Sequence, residues 1–287
     1  MNKFVSILAF LAILSIKVGS AAEREVSIQC EQSISALCLL VGTKSKSEKL
    51  KISSINVNFK QLAATSGTGY LAFFTGDATY PEHFPVGLIK SIDGVEGFYY
   101  NFSPLKYIKR SDFKDGSSLR AVSLERNEIE AIPFDTFYDL KDLKFIKLSN
   151  NKLRQFHPAT FATLPKLDTF LFDYNQVTAL DRNLFKSSPN LEKLQGYSNK
   201  IEELPKDLFV NNQKLRDVSF GSNQLKNILI DFRSLKGIEN VNIADNYGNC
   251  NFVYFDEKPY AVKEEPEGWV YSLAEFQANV EKKCRKI

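Results

Sequence analysis

Apolar residues across the middle of this chain follow neither of the two simple periods. In "LKFIKLSNNKL", residues 143–153, they fall at places 1, 3, 4, 6 and 11 of the stretch. That spacing fits neither a helix of period 3.6 nor a strand of plain alternation. Asn151 stands between Leu148 and Leu153, although strands disfavour an amide side chain. The arrangement then repeats. Asn127, Asn151, Asn175, Asn199 and Asn223 are 24 residues apart, and Asn246 follows after 23. Around each stands one frame, L-x-x-L-x-L-x-x-N-x-L. It is spelled "LRAVSLERNEI" from Leu119, "LDTFLFDYNQV" from Leu167, "LEKLQGYSNKI" from Leu191, "LRDVSFGSNQL" from Leu215 and "IENVNIADNYG" from Ile238. A fixed period of this length predicts a solenoid of stacked coils, each opening on a short strand.

The second half of each unit agrees. Ile132, Phe156, Leu180, Leu204 and Ile228 recur as apolar places, and Phe113, Phe137, Phe161, Phe185 and Phe209 recur 24 apart. Stacked coils superpose residues one period apart, so these rings are expected to form a buried spine rather than a ligand box. The asparagines have a physical reason too. Each strand must end and turn inward, which leaves backbone N–H and C=O groups away from water. An unpaired one costs about 1–3 kcal/mol. A carboxamide both donates and accepts, so a column of them is expected to form a structural ladder. Weaker copies of the frame lie upstream, at "VEGFYYNFSPL" from Val95, with Ser103 in the asparagine place, and at "LAFFTGDATYP" from Leu71.

These motifs resemble the leucine-rich repeat family, in the 24-residue form common among extracellular proteins. The resemblance covers roughly residues 71–250. It implies an α/β-type solenoid, a horseshoe with a parallel concave β-sheet and an irregular or 3-10 convex side. Residues 23–70 are expected to form an N-terminal β cap, with Ile52, Ile55 and Val57 on a covering strand. Residues 251–287 are expected to form a C-terminal helical cap. There Ser272 and Glu275 make a capping-box pair, and Leu273, Phe276 and Val280 share one helix face.

Composition narrows the picture. Residues 1–22 have a basic start at Lys3, an apolar run and the small residues "VGSAA", as an export signal cleaved after Ala22 would. A retained signal anchor is the alternative, but the 13-residue run is short for a span of about 20. The expectation is a secreted, extracellular chain with no membrane span. In that setting four cysteines suggest disulfides. Cys30 and Cys38 precede the repeats, while Cys250 and Cys284 close them. Three pairings are possible, and a solenoid that separates its ends favours pairing within each end. The formal net charge of +3 includes Lys3 and Lys17, so removing the leader leaves +1. That balance lacks the clustered basic footprint of nucleic-acid binding. Asn101-Phe102-Ser103 is the chain's one N-x-S/T sequon, so Asn101 is a candidate glycosylation site.

No motif proposes catalysis. The two histidines, His83 and His157, stand in different repeats, and there is no H-E-x-x-H, C-x-x-C, P-loop or G-x-S-x-G spelling. The expectation is no enzyme, no metal and no cofactor. What remains is a surface. The third, fifth, seventh and eighth places of each frame, between the leucines, are expected to face out of the concave side. There Phe145, Leu171, Tyr174 and Tyr197 fall in neighbouring units, with Lys147, Asp173 and Lys193 among them. Aromatic residues ringed by charge resemble a protein-binding hot spot. The functional expectation is therefore a secreted recognition module that holds a protein ligand. A structural matrix component acting through self-association or distributed contacts is the alternative. At the sixth place, Gly196 stands where its neighbours are large, and Phe172 and Phe220 are expected to lean into the space; a strand bulge at Gly196 is the other reading.

Overall fold

The computed structural model describes residues 24–31, 36–40, 50–55, 70–75, 82–246, 250, 254–256, 269–270 and 272–284, with side chains described for 82–246, 250 and 272–284. The expected leader and Val57 lie outside the described residues. Each frame opens a short strand: β5 at Val95–Asn101, β6 at Ala121–Ser123, β7 at Phe145–Lys147 and β8 at Thr169–Leu171. The series continues with β9 at Lys193–Gln195, β11 at Asp217–Ser219 and β13 at Asn240–Asn242. These strands pair in parallel and in repeat register, with Ala121 opposite Phe145, Phe145 opposite Thr169 and Thr169 opposite Lys193. They form the centre of a 13-stranded sheet.

Upstream, β1 at Arg24–Glu31, β2 at Ala36–Leu40, β3 at Leu50–Ile55 and β4 at Tyr70–Thr75 extend this sheet. Cys30 lies directly opposite Cys38 in the antiparallel β1–β2 pair. The copy of the frame read from Leu71 needs a correction. Leu71 pairs with Gly97, not Val95, and the register shifts between Tyr70 and Leu71. Tyr70 opposite Val95 is already one place off the 24-residue frame, and the irregularity in the ladder adds a second, which an ungapped period cannot represent.

Why the strands are so short follows from the frame. Side chains at the fourth and sixth places, such as Ile146 and Leu148 or Phe170 and Phe172, are fully buried. The ninth place must then turn the chain inward. Asn175 carries that turn. Its Nδ2 donates to Leu148 O (3.0 Å) and Phe172 O (2.9 Å), and its Oδ1 accepts from Leu153 N (3.0 Å). Asn151, Asn199 and Asn223 make the same set. Asn246 closes the ladder on Phe220 O, Ile243 O and Leu225 N. At the other end Asn127 donates to Tyr100 O and Leu124 O, but its Oδ1 is buried without a partner.

Among the described residues the convex return is mostly turns. The exceptions there are two single helical turns, α1 at Leu88–Ser91 and α2 at Arg110–Phe113, a 3-10 turn at Phe232–Ser234, and a two-stranded pair formed by β10 at Glu203–Leu204 and β12 at Asn227–Ile228. The recurring phenylalanines lie under it. Ring centroids are 5.8 Å apart for Phe113–Phe137, 5.9 Å for Phe161–Phe185 and 6.3 Å for Phe185–Phe209.

At the C-terminal end β14 at Tyr254–Asp256 pairs antiparallel to β13, and β15 at Trp269–Val270 pairs with β14. Helix α3 at Leu273–Cys284 then covers the last coil. Ser272 Oγ accepts from Glu275 N at 3.4 Å, Phe276 and Val280 are buried, and Leu273 packs against the core. Phe276 meets Phe232 edge-on at 5.7 Å, so ring packing passes from coil to helix. Cys250 and Cys284 are disulfide-bonded with Cα atoms 5.1 Å apart, inside the usual range. One contact here has no signal in the apolar pattern. Gln277 is fully buried, accepts from Phe232 N at 2.9 Å and donates to Ile230 O at 3.4 Å. Gln277→Leu keeps the helix face apolar but strands the Phe232 N–H. It is expected to lose about 1–3 kcal/mol, read as a lower urea midpoint; an unchanged midpoint would show that the amide pairing is dispensable.

Candidate functional site

The concave face is built from the third, fifth and seventh places, whose side chains alternate away from the core. Phe145, Lys147, Leu171, Asp173, Lys193 and Tyr197 are all partly exposed, on three successive strands and the turns that leave them. Tyr174 is 54% exposed, and its ring meets Tyr197 at 5.6 Å in a T-shaped contact. Phe145 and Leu171 lie on adjacent strands of the same sheet, β7 and β8.

The eighth place belongs to this surface for a reason that alternation misses. Simple alternation would turn it inward with the fourth and sixth. Instead Phe102, Arg126, Asn150, Tyr174, Ser198, Ser222 and Asp245 all adopt left-handed backbone, with φ between 51° and 58°. Such a conformation costs a non-glycine residue roughly 1–2 kcal/mol, least for Asn and Asp. It is held by bonds that continue the ladder beyond the strands: Tyr174 N donates to Tyr197 O at 2.9 Å, and Asn150 N to Asp173 O at 2.8 Å. The turn throws the eighth side chain outward and sends the ninth, the asparagine, inside. Tyr174 is thus placed by backbone geometry, while Tyr197 is placed by the pleat.

The seat of Tyr197 is the second feature without a sequence signal. A Cβ on Gly221 would lie 3.1 Å from Tyr197 Cδ2 and 2.9 Å from Asn242 Oδ1. Gly221 therefore lets the tyrosine ring settle close to the backbone of the next coil, with its neighbour Tyr174 against it.

The charged members of the patch are occupied within the protein. Lys147 Nζ lies 2.6 Å from Glu125 Oε2, and Lys193 Nζ lies 2.7 Å from Asp217 Oδ2. Asp173 accepts from Tyr197 N at 2.9 Å and from Ser149 Oγ at 3.3 Å. Burial pushes its carboxyl above the usual range, against the pull of those bonds. Asn101 makes equivalent bonds nearer the N-terminus, its Oδ1 accepting from Ser123 Oγ and Glu125 N, both at 2.8 Å. Beside it Arg126 lies over the Phe102 ring, 5.1 Å from its centroid, a cation–π arrangement.

Among the described residues no group of three or more His, Cys, Asp or Glu side chains is placed to hold a metal ion, and no helix is long and apolar enough to cross a membrane. His83 stacks on Tyr107 at 5.1 Å, and His157 lies against Phe134 at 5.3 Å, so the two imidazoles are in separate contacts.

Comparison with known proteins agrees with this architecture. Residues 117–177 match the leucine rich repeat family model. Of the solved structures, 264 chains match. One is the chain in the TLR13–ssRNA13 complex, at 20% identity and TM-score 0.54, covering 68% of this chain and 28% of that one. Another is the leucine-rich repeat domain of APL1B, at 18% identity and TM-score 0.43, covering 57% and 61%. This chain therefore spans under a third of the TLR13 chain. A search of curated proteins finds no match. Residues 117–177 thus match leucine rich repeats, and the fold they belong to is a leucine-rich repeat solenoid. Such folds are typically binding scaffolds rather than enzymes. The TLR13 chain was solved with single-stranded RNA, so the fold alone gives no ground for excluding nucleic acid; the expectation drawn from net charge is withdrawn as a general rule.

Proposed function

We propose that this chain is a secreted, non-enzymatic recognition module that holds a protein partner on its concave face. The observation that carries the reading is the Tyr174–Tyr197 pair: two large rings in contact, one strongly exposed, fixed on successive coils of a rigid sheet. Tyrosine offers wide contact area at little conformational cost, which is why it is enriched among hot spots. Residues 1–22 support export, and extracellular placement is part of the proposal. N-terminal sequencing of the chain from culture medium should then begin at Glu23.

The test of the face uses Tyr174→Gly and Tyr197→Ala. A partner captured from native extracellular fluid and cross-linked to β7, β8 or β9 should bind each variant about 30-fold more weakly, equivalent to about 2 kcal/mol. Stability should hold, because neither ring is core, and glycine at place 174 relieves left-handed backbone. A variant that melts earlier yet keeps its affinity would defeat the proposal. Concentration-driven self-association without a saturable 1:1 site would favour a structural matrix role instead.

A further inference from the structure

The concave face offers a partner little charge. Glu125 and Lys147 neutralise each other across β6 and β7, and Lys193 and Asp217 do so across β9 and β11. Asp173 is turned into backbone and hydroxyl bonds. In the left-handed row the ionisable residues besides Tyr174 are Arg126, laid over Phe102, and Asp245, at opposite ends. Along the bordering second place, charges of both signs are mixed, with Arg120 bound to Glu96 and Arg216 to Glu239, each at 3.3 Å or less. Around the rings the floor is small and neutral: Ser149, Ser198, Gly221 and Ser222.

A polyanion needs a row of uncommitted cations, since each neutralised phosphate contributes its own share of affinity. An acidic or basic peptide needs an unpaired opposite charge, and recruiting Lys147 or Lys193 would first break a pair already formed. Resting on the reading of this face as the binding site, we infer that its partner is a polypeptide surface that is apolar at its centre and uncharged where it meets Tyr174 and Tyr197. The partner's contacts are with Leu171, Phe145 and the two rings, and hydroxyl groups supply polar pairing at the margin. Lys147, Asp173 and Lys193 then act as scaffold for the face rather than as ligand contacts.

The test is selection of a phage-displayed library of random peptides, about 12 residues long, on the immobilised full chain, with a fluorescent oligouridine of about 20 nucleotides as the second probe; binding is measured between about 50 and 500 mM NaCl. The expected peptides are rich in aliphatic and aromatic residues with net charge near zero. Their Kd should change less than about twofold over that salt range, since exposed charges beyond a Debye length are screened while apolar contacts are not. The same Kd should rise at least about tenfold in Tyr174→Gly or Tyr197→Ala, and the oligouridine should not bind. Strongly charged peptides that weaken steeply with salt but still require both tyrosines would overturn the charge inference and leave the face intact. Oligouridine binding that falls with salt and requires the tyrosines would overturn it likewise. Failure to enrich any peptide, or peptides indifferent to both tyrosines, would overturn the face itself.

Discussion

Asn175→Ala is expected to destabilise the protein by about 2–6 kcal/mol: Leu153 N is left without its acceptor, at about 1–3 kcal/mol, while Leu148 O and Phe172 O each lose one carboxamide donor, at about 0.5–1.5 kcal/mol apiece, and keep those of Asn151 and Asn199. All three groups lie within 3.0 Å of the Asn175 carboxamide. Alanine supplies neither donor nor acceptor, and Asn175 is buried between two coils. Asn127→Ala gives the internal comparison. Its Nδ2 bonds match those of Asn175, but its Oδ1 has no partner to lose. The loss there should be smaller by about 1–3 kcal/mol, the share of the missing acceptor bond. Urea unfolding of both variants decides the matter. Equal losses would mean that the acceptor half of the ladder contributes nothing.

Gly196→Leu should lower stability by about 1–3 kcal/mol, the usual range for overpacking. Even a Cβ at Gly196 would sit 2.8 Å from Phe172 Cε2 and closer still to Cζ. That ring has little room to retreat, since Phe170, Phe156 and Phe220 stand 5.0, 5.3 and 6.5 Å from it. The strand ladder continues through the glycine, whose N–H donates to Ser219 O at 2.8 Å. The packing reading therefore prevails over the bulge, and Phe172 rather than Phe220 does most of the filling. Shortening the ring should rescue the variant: Gly196→Leu with Phe172→Leu is expected to melt above Gly196→Leu alone, because contacting residues couple. If Gly196→Leu melts with the parent, the ring yields freely and the packing account fails.

Much of the fold was legible because repetition copies local chemistry at a fixed distance. A leucine, a phenylalanine or an asparagine every 24 residues defines stacked places without any three-dimensional information. The register of β5 through β11 follows directly. Legibility fails where the period does. The strand at Tyr70–Thr75 is displaced by a shift in the ladder, and a frame without gaps cannot express it. It also fails where one polar residue replaces an apolar one. Gln277 interrupts the apolar face of its helix, and its role becomes visible once the helix lies over Phe232 and Ile230.

For the candidate site the division is sharper. The sequence alone determined which residues share the concave face, because side-chain alternation and the repeat period are properties of the chain itself. It placed Phe145, Leu171, Tyr174 and Tyr197 on neighbouring units, and it named Lys147, Asp173 and Lys193 beside them. The tertiary structure decided what each can offer. The left-handed turn puts Tyr174 outside, Gly221 leaves room for the Tyr197 ring, and Glu125 and Asp217 occupy the two lysines. Those outcomes depend on φ at single residues and on side chains a whole coil away, and a residue type at a given place specifies neither.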